Sequence, residues 1–194
     1  MPSRHPSVAS GRADPEGTPQ TSVTVPTIRE KGSLLLVDRA IHLLDVENLC
    51  GTPAFSDRDL IALQRRYKEL VPIGPEDLVV VASSHYRARE LMFGWTDARP
   101  LFGSGPDGAD KRLLDVIFHE GIEGRFSHIV IGSGDGIFSP ACKYLEAHGP
   151  YVTVVARNQR SLSRHIRAAA EDIRLLETAS EAEIKPIESP RRWN

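Results

Sequence analysis

Asp77-Leu78-Val79-Val80-Val81-Ala82 is the stretch that decides the architecture. Five apolar residues follow the aspartate without a break, and three of them are valines. A strand with one wet face alternates polar and apolar residues. An unbroken β-branched run of this length belongs to a strand covered on both faces. Working outward, 151–156 (YVTVVA) repeats the signature, 40–45 (AIHLLD) and 127–131 (SHIVI) are shorter versions, and 98–102 is a weak strand. Between them the period changes to that of a helix. Leu60, Leu63 and Tyr67 share one face of 57–67, which Ser56 can cap. Further helices are expected over 86–93, over 109–120 before Gly121, and over 138–148 before Gly149, with Pro140 tolerated in the first turn. A last helix is expected over 162–176, with Leu162, Ile166, Ala169, Ala170 and Ile173 as its apolar stripe. Five β-α units in a row predict an α/β fold: a doubly wound, mainly parallel sheet with helices on both faces.

Composition narrows the class. The 194 residues carry 24 Lys and Arg against 26 Asp and Glu, a net charge of −2, so no global basic excess argues for nucleic acid. At 40% apolar and 26% charged the chain is an ordinary globular one. Residues 1–33 and 179–194 are rich in polar residues and proline and lack apolar periodicity. They are expected to be disordered tails around a domain at 34–178. The apolar runs 34–37 and 78–82 fall far short of the ~20 residues of a membrane helix, and the N-terminus has no signal-peptide core. Two cysteines, Cys50 and Cys142, are expected to pack as thiols in a reducing, cytoplasmic setting. There are no internal repeats.

In doubly wound sheets the site lies beyond the carboxyl ends of the strands. Asp45 closes the first strand. Asp107 and Asp110 follow the 98–102 strand, and Gly132-Ser133-Gly134-Asp135-Gly136 follows 127–131. Asp45, Asp110 and Asp135 should therefore converge at one edge. Gathered carboxylates repel, and a hard divalent cation such as Mg²⁺ or Mn²⁺ removes that cost through oxygen ligation. The competing reading is that loop aspartates only cap helices and shape turns.

Three motifs now carry a resemblance: Leu43-Leu44-Asp45-Val46-Glu47-Asn48-Leu49, then Gly108-Ala109-Asp110-Lys111-Arg112-Leu113-Leu114-Asp115, then Ile131-Gly132-Ser133-Gly134-Asp135-Gly136-Ile137-Phe138. In this order and spacing, over about 38–177, the chain resembles a NYN domain of the PIN-like nuclease superfamily. The segment 162–173 also looks like the family's closing helix. The resemblance implies a metal-dependent endoribonuclease that leaves a 5′-phosphate and a 3′-hydroxyl. It implies that Asp45, Asp110 and Asp135 bind the metal, that Asn48 orients the first loop or touches a phosphate, and that Ser133 supports the site. Asp115, Asp107 or Glu47 could supply a further ligand. Where the family often carries a second acid, two residues after Asp135, this chain has Ile137. An inactive or weak RNA-binding or protein-interaction module on the same fold is the alternative.

Other motifs compete with this reading. Gly103-x-Gly105-x-x-Gly108 matches a dinucleotide fingerprint, but it follows the wrong strand and sets Asp107 and Asp110 against a pyrophosphate. Asp45-Val46-Glu47 lacks the second aspartate of an Asp-nucleophile phosphatase, and Ser133 sits in no nucleophile elbow. Arg160, Arg164 and Arg167 fall at i, i+4 and i+7 on the expected last helix, with Arg157 at the preceding strand end. With the acids as a nuclease site, these arginines would hold RNA, expected to be single-stranded, by its phosphates; otherwise they are a solvated face. Tyr86, Trp95 and Phe55 are candidates to stack on unpaired bases, core or lid packing being the commoner role. No membrane partner is expected, and a homo-oligomer is left open.

Overall fold

The computed structural model describes residues 39–177. The expected tails at 1–33 and 179–194, and with them the expected domain boundaries, lie outside the described residues. The order of elements is β1 (Ala40–Asp45), α1 (Val46–Cys50), α2 (Asp57–Leu70), β2 (Leu78–Ser84), α3 (Ala88–Gly94), β3 (Arg99–Gly103), α4 (Gly108–His119), β4 (His128–Gly132), α5 (Ser139–His148), β5 (Tyr151–Ala156), α6 (Arg164–Arg167) and β6 (Asp172–Leu175). The six strands form one sheet in the order β3-β2-β1-β4-β5-β6, and every pairing is parallel. This is the doubly wound α/β architecture that the strand runs predict.

Alternation along the strands builds two cores. Ile41, Leu43, Val80, Ala82, Ile129 and Ile131 face one side, where α4, α5 and α6 supply Leu113, Ile117, Leu145 and Ile166. Leu44, Val79, Val81, Val130 and Val155 face the other, against Leu60, Leu63 and Tyr67 of α2 and Leu91 of α3. Each fully buried Val, Leu or Ile contributes about 1.5–3 kcal/mol. That is why β1, β2, β4 and β5 contain almost no polar residue. Asp45 and Ser83 stand at strand ends, and His42 and Thr153 are the polar residues buried within the strands. The His42 Nδ1 lies 2.7 Å from the Tyr67 hydroxyl, and burial pushes the pKa of His42 down. The second winding is tied at its start by Asp77, whose carboxylate accepts from the Ala40 and Gly74 amides, both at 2.6 Å. No helix among the described residues is long and apolar enough to cross a membrane.

Most element ends agree with expectation to within a few residues. Ser56 caps α2 in a full capping box with Asp59, and Gly149 (φ 111°) closes α5. The Gly-x-Gly-x-x-Gly stretch is explained by packing. A Cβ on Gly103 would stand 2.0 Å from the Gly108 carbonyl carbon, so these glycines let β3 run directly against the start of α4.

The last expected helix is a correction. The segment 162–176 is a four-residue helix, α6, capped by Ser163, followed by strand β6. The apolar spacing of 162–173 suits a helix, but β5 would otherwise present a bare row of backbone groups at the sheet edge. β6 satisfies them: the Leu176 amide donates to the Ala156 carbonyl at 3.0 Å and the Glu177 amide to the Arg157 carbonyl at 2.8 Å. Ile173 and Leu175 reach the α4–α6 core from the strand as well as they would from a helix. Tertiary pairing therefore overrides a weak helical preference.

Candidate functional site at the switch point of the sheet

β1 and β4 are neighbours, yet β1 connects onward to β2 on one side and β4 to β5 on the other. The chain thus departs in opposite directions at their carboxyl ends and leaves a crevice there. Asp45, the last residue of β1, is also the N-cap of α1, and its Oδ1 accepts from the Asn48 amide at 3.2 Å. Asn48 then bridges the crevice, its Oδ1 accepting from the Gly134 amide at 3.0 Å. On the far side Ser133 is fully buried, and its Oγ accepts from the Asp135 amide at 3.2 Å. Asp135 caps the 3₁₀ turn Gly136–Phe138 by accepting from the Ile137 amide at 3.0 Å. Asn48 is therefore a brace between the two loops that carry Asp45 and Asp135, and Ser133 shapes the second loop from within.

Asp110 arrives from a third element. It lies in the first turn of α4, on the face of the sheet toward which the odd-numbered residues of β1 point. Asp45 has the same parity as Ile41 and Leu43, so strand periodicity directs it at Asp110. The two carboxyls lie close enough to perturb each other, and both are almost wholly buried. Burial, then the charge of Asp110, pushes Asp45 up to about 8, although the Asn48 amide favours its ionised form. Asp110 is raised too, first by burial, with Asp135, Asp107 and Glu47 adding to the repulsion. Each carboxyl therefore holds a proton more readily than an isolated aspartate would.

The remaining expected residues are distributed differently. Asp135 is exposed and stands within the electrostatic reach of Asp110. Asp107 is exposed, with a left-handed backbone (φ 54°) at the start of α4. Asp115 is a correction as a ligand candidate: it lies on the outer face of α4, 54% exposed, paired with Arg112 at 3.3 Å. Five residues from Asp110 is about 140° around the helix, which turns it away from the crevice. Ile137 packs against the core rather than toward the acids. Glu47 is better placed than its sequence context suggests. Its Oε1 accepts from the Ser84 amide at 2.7 Å and the Ser83 hydroxyl at 2.9 Å, which ties α1 to the end of β2. The hydroxyl pair after the β2 valines was the available signal for this anchor.

The donor set suits a hard cation: it is all oxygen, and Asp110 Oδ1 is buried without a hydrogen-bond partner. Among the described residues, however, no three or more His, Cys, Asp or Glu side chains are arranged to hold a metal ion. Two carboxyls meet, and the third stands apart at the surface.

The basic residues change with the last helix. Arg157 is paired with Glu177 at 2.9 Å and lies over the C-cap of α1, where a Cβ on Gly51 (φ 71°) would collide with its guanidinium. It is a structural arginine. Arg160 sits in the turn before α6, and Arg164 and Arg167 are on α6, so one long stripe does not form. All three are exposed, and with the Gln159 amide turned over the Arg167 guanidinium donates to its oxygen. Their loop nonetheless abuts the acid side: the Ser163 amide donates to the Gly134 carbonyl at 2.9 Å, and a Cβ on Gly134 would meet the Ser161 carbonyl oxygen at 2.1 Å. Trp95 and Phe55 are buried and Tyr86 is 81% exposed, so of the three candidate stacking rings only Tyr86 is open. Cys50 and Cys142 are free thiols, each pushed up to about 12 by burial.

Comparison with known proteins agrees with the fold. A crystal structure of a protein of unknown function from Vibrio parahaemolyticus superposes with a TM-score of 0.51 at 16% identity, covering 75% of this chain and 96% of that one. That likeness concerns the fold alone. No curated protein matches significantly. The sequence model of the NYN domain matches residues 79–177, just over half of the chain, and includes Asp110 and Asp135 while Asp45 lies upstream. By that match, over a doubly wound sheet with acids at its switch point, this chain belongs to the NYN domain family, a family of nuclease-like fold.

Proposed function

We propose that this protein is a divalent-cation-dependent endoribonuclease whose site is the crevice between β1 and β4. One observation carries the reading: Asp45 and Asp110, both buried, come together at the switch point, where a bound cation would relieve their repulsion. Asp45 and Asp110 would hold Mg²⁺ or Mn²⁺, with Asp135 completing the set from the opposite loop. Such an ion supplies a lowered water pKa and charge neutralisation at a phosphate. Asp45 is pre-oriented by the Asn48 amide, and Ser133 braces the backbone of Asp135. Arg160, Arg164 and Arg167 lie beyond the Asp135 loop and would hold the RNA by its phosphates without reading sequence.

The test is cleavage of RNA with Mn²⁺ and with a chelator, by wild type and Asp45→Asn. A second readout does not depend on turnover. Metal binding to a protonated pair must release a proton, so the calorimetric enthalpy of Mn²⁺ binding should vary with the ionisation enthalpy of the buffer. Cleavage that survives both the chelator and Asp45→Asn overturns the reading. The exposed position of Asp135 favours one alternative, an RNA-binding module without chemistry, which would bind RNA and leave it intact.

A further inference from the structure

We propose that the His85–Tyr86 ring pair is a stacking platform for an unpaired base of single-stranded RNA, next to the Asp45–Asp110 crevice. The inference rests on the RNA reading above and assigns a base-holding element to it. Tyr86 is the most exposed large apolar side chain among the described residues, at 81%. Its position gives that exposure meaning. It follows β2, the immediate neighbour of β1, on the same carboxyl edge that carries Asp45.

The platform is also rigidly placed. The two rings lie against each other with centroids 3.8 Å apart and planes inclined by 39°. The His85 Nδ1 is 3.2 Å from the Ser104 hydroxyl beyond β3. The Ser84 amide and Ser83 hydroxyl, just before His85, both donate to Glu47, two residues from Asp45. The Arg87 Nε, just after Tyr86, donates to the Pro53 carbonyl at 2.8 Å. The segment is thus fastened to three elements while the tyrosine ring stays in water. Tyr67, by contrast, is buried against Trp95. The other open aromatic of this region, Phe93 at 70%, lies at the end of α3 with no such ties to the acid loop.

Across the sheet edge the order is then Tyr86 after β2, Asp45 after β1, Asp135 after β4, and the Arg160–Arg167 segment after β5. Neighbouring strands are ~4.8 Å apart, so the aromatic and basic ends are separated by roughly 15 Å, a few nucleotides of an extended strand. A base would be gripped on one side of the acids and phosphates on the other. Stacking accepts any base but needs one that is not paired, so the platform selects single strands over duplex.

The experiment uses the full chain with a chelator present, so that cleavage does not intervene, and a fluorescently labelled RNA offered as a single strand and as a duplex. Tyr86→Ala should weaken single-strand binding by roughly 5- to 150-fold. It should leave duplex binding and the salt slope unchanged, because the tyrosine neutralises no phosphate. Tyr86→Phe should restore the affinity. Tyr86→Trp should give an emission quenched by the single strand and not by the duplex. Unchanged single-strand affinity in Tyr86→Ala, an equal loss toward duplex, or no RNA binding by wild type would each overturn the proposal. Tyr86-dependent binding by a wild-type chain that never cleaves would support the platform and overturn the nuclease reading. Cleavage by wild type with Tyr86→Ala binding normally would do the reverse.

Discussion

The two sides of the crevice use the same residue type to opposite ends. On the β1 side, Asp45 and Asp110 are buried side by side, and burial with mutual repulsion raises the proton affinity of both. On the β4 side, Asp135 is exposed and spends one carboxylate oxygen on the Ile137 amide. Burial, not sequence context, separates them: all three stand at or after strand ends, and Asp110 and Asp135 both have a glycine within two residues. The difference teaches that one half of the site stores repulsion that a cation would release, while the other half is a solvated carboxylate held in place by its turn.

The sharpest way to break this comparison is to neutralise each acid in turn. Asp45→Asn and Asp110→Asn should each cost several kcal/mol of barrier, on the order of 10³-fold in RNA cleavage. Asp135→Asn should cost less, on the order of 10- to 100-fold, because an exposed group holds its ligand more loosely. Single-turnover rates in Mn²⁺ measure all three, and equal losses would mean that the crevice closes over Asp135 when RNA binds.

Acidity sharpens it next. Asp45 has a folded-state pKa of about 8, above its ordinary value of 3.8, so the folded protein binds the proton more tightly than the unfolded chain. The stability this provides is complete below about pH 4 and is lost as pH rises toward 8, at most about 1.4 kcal/mol per pH unit. Without divalent cations the thermal midpoint should therefore fall between pH 5 and 8 from this group. Asp45→Asn should flatten the fall and melt above wild type at pH 8. Mn²⁺ should raise the wild type more than the variant, by binding linkage. A wild-type midpoint with the same pH profile as Asp45→Asn would show that the pair is not protonated.

Ile137→Asp addresses the β4 side. The side chain packs on the core, so the substitution should destabilise by about 1–2 kcal/mol in denaturant unfolding. Calorimetry should show no tighter Mn²⁺ binding; tighter binding would mean that the turn can rotate a second carboxylate into the crevice. The smallest effect is expected from Arg160→Gln with Arg164→Gln. These exposed groups touch phosphate at most, so the slope of log affinity against log salt should fall by roughly one for each phosphate that is no longer neutralised. A slope unchanged from wild type would make them a solvated surface.

Much of this was readable from local chemistry. The valine runs at 79–81 and 154–155 can only be strands covered on both sides, and repeated β-α alternation leaves few topologies. Asp45, Asp110 and Asp135 follow from asking what lies after each strand. The tertiary structure decided the rest. The identity of 172–175 as a strand depended on the open edge of β5, which no local preference encodes. Asp115 and Asp110 are alike on paper, and only the packing of α4 turns one inward and leaves the other in water. Arg157 became a strut because Glu177 and Gly51, distant in sequence, meet over it. The raised proton affinity of Asp45 depends on Asp110, 65 positions away, and on a burial that the folded chain alone supplies. Periodicity and strand-end chemistry act over a few residues and survive in the sequence; edge completion, burial and carboxyl pairing arise between distant segments and exist only once the chain is folded.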